Sequence, residues 1–172
     1  MYSYETIRDT CCQMLEKRGY EIMETGDPER IDLEARDEEG DIIAVIISEN
    51  NNLDSDRIKE YTKIFYSNSI FHGIIVCTDI TPGAKNTIND TKDIRIEFFK
   101  SLQMMYNITT HKWQPECRKI AREDIPQIKD VSNLPAIGSE DAIVKFYGFQ
   151  KGDVIETVDS KGMVDYTLVI PS

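Results

Sequence analysis

Three carboxylates, Asp32, Glu34 and Glu49, stand near where a two-strand metal site would need them. Many nucleases carry an Asp on one strand of a hairpin and a D/E-x-K on the next. The carboxylates hold Mg²⁺ and the lysine orients the attacking water. Residues 31–49 have that outline. However, the strand opposite Asp32 reads Ala44-Val45-Ile46-Ile47-Ser48, and three asparagines follow Glu49. The lysine is missing, and an apolar strand does not bind a hydrated cation. The expectation is a solvent-facing acidic hairpin rather than a nuclease centre.

A second candidate is "KFYGFQKGDVIETVD" at 145–159, where Lys151 lies between Gly148 and Gly152. A phosphate loop needs G-x-x-x-x-G-K-[ST], so that backbone N–H groups and the lysine converge on the anion. Here the glycines are one residue too close, and Asp153 stands where the lysine belongs. A carboxylate there repels phosphate. The reading is a strand, a turn through "GFQKGD" and a second strand. His72 and His111 have no Ser or Cys beside them in a nucleophile motif. Trp113, the only tryptophan, reads as interface or core filler. One site-like feature remains, Thr81-Pro82-Gly83-Ala84-Lys85. A helix starting there exposes unpaired N–H groups that attract anions, and Gly83 allows close approach of a backbone.

These residues need elements to hold them. Ile7, Cys11, Met14 and Leu15 mark one face of a first helix, which Gly19 stops. Ile31, Leu33 and Ala35 alternate with Asp32 and Glu34 as a half-exposed strand. "IIAVIIS" (42–48) is a buried strand that completes a hairpin with it. Asp54 and Ser55 are candidate caps for a second helix with Ile58, Tyr61, Ile64 and Phe65 inward. "HGIIVCT" (72–78) is another buried strand. Thr81 caps a third helix with Pro82 in its first position. "IRIEFF" (94–99) is a strand, and "SLQMMY" (101–106) a short helix or the approach to a strand. Interleaved strands and helices predict an α/β layer up to about residue 108. Beyond it, Pro115, Pro126 and Pro135 punctuate a polar stretch. "AIVKFYG", "DVIETV" and "YTLVI" then read as short strands. The fold class is α+β in two domains, 1–108 and 109–172.

Composition bounds the function. The net charge of −11 argues against nucleic acid, which needs a basic surface. Yet residues 21–60 hold 14 acids against 4 bases, and the rest of the chain 17 against 16. The acidity is local, so a DNA contact elsewhere on the surface is not forbidden. There is no apolar run of about 18 residues, so no membrane span is expected. The start of the chain lacks a secretion signal. The four cysteines form no C-x-x-C pair, which suits a reduced intracellular protein without structural zinc. No cofactor and no metal are expected.

The run "LPAIGSEDAIVKFYGFQKGDVIETV" (134–158) resembles the assembly domain of the fifth small subunit shared by eukaryotic nuclear RNA polymerases, which has a smaller archaeal counterpart. That family carries Leu-Pro-Arg-Ile, then Asp-Pro, then Tyr-x-Gly-x-x-x-Gly-Asp/Glu-Val. Leu134, Pro135, Ile137, Asp141, Phe146, Gly148, Gly152, Asp153 and Val154 fit without a gap. The likeness extends to "MLEKRGYEI" (14–22), "HGIIVCTDITPGAK" (72–85), "IEFF" and "NITTH" (107–111), and it is weakest at 23–60. Departures are Ala136 and Ser139 for two family arginines, Ala142 for the Asp-Pro proline, and Tyr166-Thr167 for a Tyr-Arg. Each lost arginine removes a bidentate hydrogen-bonding fork.

The resemblance implies a non-catalytic subunit of a DNA-directed RNA polymerase, with no membrane association. Residues 1–108 would be a nuclease-like α/β jaw domain without catalytic residues, flanking downstream double-stranded DNA through Thr81, Pro82, Gly83, Ala84 and Lys85. Residues 109–172 would be a small α/β assembly domain. It would dock on the largest subunit, among other polymerase subunits, through Pro135, Ile137, Asp141, Tyr147, Gly148, Gly152 and Tyr166. The compartment implied is intracellular: the nucleus for a cellular protein, the virion or infected cytoplasm for one encoded by a large DNA virus.

Overall fold

Helix α1 (Tyr4–Lys17) starts at Ser3, whose hydroxyl accepts from the Thr6 amide. It ends in a Schellman motif: Gly19 N donates to Glu16 O and Tyr20 N to Leu15 O, with Gly19 at φ +86°. Ile7, Cys11, Met14 and Leu15 are its buried stripe. The computed structural model describes residues 3–49, 52–125 and 131–172, and the chain divides into two units, Met1–Tyr106 and Asn107–Ser172. Pro126 and the Asn50-Asn51 pair lie outside the described residues.

In the first unit, strands β1 (Glu21–Met23), β2 (Leu33–Arg36) and β3 (Ile42–Ile47) run antiparallel. A two-residue strand β4 (Asn52–Leu53) leads into helix α2 (Ser55–Ser67). Strand β5 (His72–Cys77) then joins β3 in parallel. The short β6 (Asp79–Ile80) pairs β4, helix α3 (Pro82–Asp90) follows, and β7 (Arg95–Lys100) joins β5 in parallel. The sheet order is β1-β2-β3-β5-β7. Ile58, Ile64 and Phe65 of α2 and Ala84 of α3 share one core with Ala44, Ile46, Ile75 and Cys77 of the sheet. Gly73 is required by packing, because a Cβ there would lie 2.3 Å from the Phe65 ring.

The second unit is a four-stranded sheet in the order β8-β10-β11-β9, built from β8 (Glu116–Ile120), β9 (Ala136–Gly138), β10 (Val154–Val158) and β11 (Val164–Ile170). β8 and β11 flank β10 antiparallel, and β9 lies parallel to β11. Helix α4 (Ala142–Tyr147) covers one face, with Val144 packed on Cys117, Ile155 and Val169.

Two expectations fail here. The run 142–148, read as a strand, holds α4 and its closing Gly148. The six-residue run is too short to show helical periodicity, and its β-branched and aromatic composition favours strand. Asp141 decides it by capping one end, and Gly148, left-handed at φ +70°, closes the other. The hairpin carboxylates are also not all solvent-facing, since Glu34 is buried at 6% exposure. Strands β1, β4, β6, β8 and β9 escaped prediction because they are short or polar.

Candidate functional site

Two of the three hairpin carboxylates are occupied by the fold itself. Asp32 accepts the Tyr4 hydroxyl at 2.5 Å and the Ile47 amide at 2.6 Å, tying α1 to the end of β3. Glu34 accepts the Thr25 hydroxyl at 2.7 Å and the Gly26 amide at 3.1 Å, which offsets the cost of its burial. Glu49 is exposed past the end of β3. Among the described residues, no group of three or more His, Cys, Asp or Glu side chains is placed to hold a metal ion.

In the glycine-lysine segment the amides of Gly148, Phe149, Gln150, Gly152 and Asp153 are taken up by the fold. Gly152 N donates to Val169 O, Asp153 N to Gln150 O, and Gln150 N to the Asp153 carboxylate. That carboxylate also holds Lys119 at 2.8 Å. Gly152 sits at φ +89° with no heavy atom within 4 Å of an added Cβ, so the turn needs its conformation and not its size.

At the start of α3, Thr81 caps the helix and its hydroxyl accepts the Ala84 amide at 3.2 Å. Pro82, Gly83 and Lys85 are exposed, whereas Ala84 is fully buried and only packs. Lys85 lies with its ammonium 5.5 Å from the centre of the Phe98 ring. The surrounding charge is balanced. Asp79, which pairs with Lys100 at 2.9 Å, is held below the usual carboxylate range by that lysine and by its backbone hydrogen bond. Gly83 packs against the start of α2, where a Cβ would meet Ser55 Oγ at 3.0 Å.

The candidate partner residues of the second unit fall into two groups. On the covered side, Ile137 and Tyr147 pack on the small core. Tyr147 stacks on Phe149 with centroids 5.2 Å apart and planes within 6°. Asp141 accepts the Ile143 amide at 2.9 Å as the helix cap. Position 142 is the first helical residue, where the family's proline would have a favourable φ and Ala142 stands instead. Exposed Pro135 lends its carbonyl to Leu168 N. Tyr166 lies on the opposite face. Strand register sets Arg118, Glu156 and Tyr166 in one row across β8, β10 and β11. Arg118 pairs with the buried Glu156, which it holds below the ordinary carboxylate range. Burial and then Glu156 raise the Tyr166 phenol.

Sequence reading missed that row, whose only signal is strand periodicity. It also missed a charged cluster in the first unit. Glu97 accepts both guanidinium nitrogens of Arg18 at 3.1 and 2.9 Å, His72 Nε2 at 2.6 Å and Arg95 at 3.1 Å. Burial alone would raise the Glu97 carboxyl. His72, Arg18 and Arg95 outweigh that and hold it far below its usual value. Residues 18, 72 and 97 are too distant in sequence for any motif to join them.

Residues 106–169 match the family model described as RNA polymerase Rpb5, C-terminal domain. In sequence the chain is similar to Rpb5 subunits. It is 29% identical over 188 residues to the DNA-directed RNA polymerases I, II, and III subunit RPABC1 of Caenorhabditis briggsae, covering 91% of this chain and 89% of that subunit. It is also 28% identical over 120 residues to a putative DNA-directed RNA polymerase subunit 454R of Invertebrate iridescent virus 6, covering 61% of this chain and 65% of that protein. Among solved structures, EndoMS in apo form overlaps 58% of this chain and 47% of its own, at 19% identity and a TM-score of 0.39. That overlap carries no functional argument.

Proposed function

We propose that this chain is a structural, non-catalytic subunit of a multisubunit DNA-directed RNA polymerase. One observation carries the reading. The segment that matches the Rpb5 C-terminal domain is built from residues whose roles are conformational: Asp141 caps, Gly148 and Gly152 turn, and Tyr147 packs. Such a unit works by its shape, so it docks on the largest subunit through the β9 edge, the surface of α4 and the row ending at Tyr166. The first unit flanks the downstream duplex as the jaw, with the Thr81–Lys85 turn facing phosphates. Thr81, Pro82, Gly83 and Lys85 supply that contact, and Ala84 only supports it from the core. Contacts of this kind position DNA without reading its sequence. The balanced charge around Asp79 and Lys100 limits their number.

The test separates docking from folding. Tyr166→Glu sets a second carboxylate beside Glu156 on the open sheet face, where like charges repel. Tagged wild-type chain should recover the large polymerase chains in equal amount. The variant should lose them while its circular dichroism stays native. Equal recovery with both proteins would remove the Tyr166 face from the interface. Recovery with neither would remove the polymerase reading itself.

A further inference from the structure

A cleft of about 530 Å³ opens at the end of the first unit's sheet where β3, β5 and β7 begin, and the Thr81–Lys85 turn follows the opposite end of β5. Register sets Ile43, His72 and Arg95 side by side across those three strands. His72 and Arg95 line the cleft from the sheet, and Tyr20 from the turn after α1. Asp41 joins them from the turn before β3, and Ser69 and Phe71 from the loop between α2 and β5. The volume falls within the roughly 300–1,000 Å³ of small-molecule sites. Ser69 stands at φ +57°, alone among the described non-glycine residues in the left-handed region. Backbone strain of that kind gathers at ligand sites.

The charges around the cleft are of both signs. Glu97, two residues along β7 from Arg95, is already taken by both guanidinium nitrogens of Arg18 and by His72 Nε2. Asp37 Oδ1 accepts the amides of Glu39 and Asp41 within its own turn. The Asp41 carboxylate, by contrast, has no hydrogen bond or ion pair among the described residues. Arg95 gives one guanidinium nitrogen to Glu97 at 3.1 Å, and its side chain stays 40% exposed. Asp41 lies on the line of β3 and Arg95 on β7, two strand spacings or about 10 Å apart. An acceptor and a donor fork therefore serve one cleft from different strands. Tyr20 and Phe71, the latter 58% exposed, add ring surface.

That pairing selects the ligand. An anion alone is repelled by Asp41, and a cation alone by Arg95. A free amino acid carries both its charges on one carbon, too close together to reach the two groups. Guanine has neighbouring donors, N1–H and N2–H, on one edge and neighbouring acceptors, O6 and N7, on another, with a π face for aromatic rings. Adenine would set its N1 acceptor against the carboxylate. We propose that the cleft binds a guanine base. Asp41 accepts from N1–H and N2–H, Arg95 donates to O6 and N7, and Tyr20 and Phe71 supply stacking surface. The base comes from a free guanine nucleotide or from an unpaired guanine in a single strand. The site is independent of whether the chain assembles into a polymerase.

Calorimetric titration of the pure full chain with guanosine, adenosine and xanthosine tests this. Wild type should bind guanosine about tenfold or more tighter than adenosine, the scale of one good bidentate contact. Asp41→Asn should weaken guanosine by a similar factor. It should also bind xanthosine better than wild type does, because the new amide donates to the O2 that replaces the guanine amino group. A misfolded variant cannot gain a ligand in this way. Arg95→Gln should weaken guanosine about tenfold with native circular dichroism. Guanosine triphosphate and a short oligothymidylate with one central guanine separate the two sources, and the tighter binder identifies the one the site serves. No guanosine binding at millimolar concentration overturns the proposal. So does adenosine binding as tight as guanosine, or an Asp41→Asn variant with unchanged preference.

Discussion

Glu97→Gln is the perturbation whose size the structure fixes best. The Arg18 side chain is only 4% exposed and the Glu97 side chain 15%, so their bidentate pair is largely out of water. Glutamine keeps the volume and one acceptor oxygen but removes the negative charge that faces Arg18, His72 and Arg95 and replaces the second acceptor by a donor. Removing one partner of a buried pair costs about 3–5 kcal/mol. Native-state hydrogen exchange of the β5 and β7 amides reads this locally, without assuming that both units unfold together. The opening constant should rise by roughly two to nearly four orders of magnitude.

The pH dependence follows from the depressed carboxyl. Glu97 lies below its ordinary value in the folded chain, so its contribution is fully present above the unfolded value of about 4.3. It is lost as pH falls through the folded value. The gap between wild type and Glu97→Gln should therefore narrow as pH falls below about 4. Replacing both partners, Arg18→Met with Glu97→Leu, should cost less than Glu97→Gln alone, because no buried charge is then left unpaired. A Glu97→Gln effect below about 1 kcal/mol, the scale of a solvated surface pair, would refute the reasoning.

Three further outcomes follow. Gly73→Ala forces a methyl into the fully buried Phe65 ring and should cost about 1–3 kcal/mol. Phe65→Leu in the same chain should recover part of it, as read by urea unfolding. Gly148→Ala meets the left-handed cap and should destabilise the second unit by about 1 kcal/mol or more, with Gly148→Asn milder, as read by Trp113 fluorescence. If Lys85 touches one phosphate, Lys85→Gln in the assembled polymerase should reduce the salt slope of duplex binding by about 0.9, a loss of roughly threefold to fourfold between 50 and 200 mM salt. An unchanged slope would remove Lys85 from the contact.

What the sequence revealed, and what it hid, has physical causes. Helix α1 was legible from the spacing of Ile7, Cys11, Met14 and Leu15 and the stop at Gly19, α2 from the Asp54 cap and its apolar spacing, and α3 from the Thr81 cap and Pro82. The buried strands β3 and β5 were legible as apolar runs between turn residues. The helix α4 was not, since six residues such as Ile143, Val144 and Phe146 read equally as strand, and only its cap and glycine distinguish it. Asp32 and Glu34 showed their residue types but not their partners. The amides and hydroxyls that hold them come from Ile47, Gly26, Tyr4 and Thr25, brought close by the fold. The Arg18–Glu97–His72 cluster was hidden for the same reason.

The central claim concerns assembly, and native mass spectrometry of the particle purified through a tag on this chain measures it directly. The account predicts one copy of the 19.8 kDa chain in a particle that contains polymerase large subunits and transcribes a tailed DNA template. The chain flying alone, or only with itself, after gentle purification would contradict it.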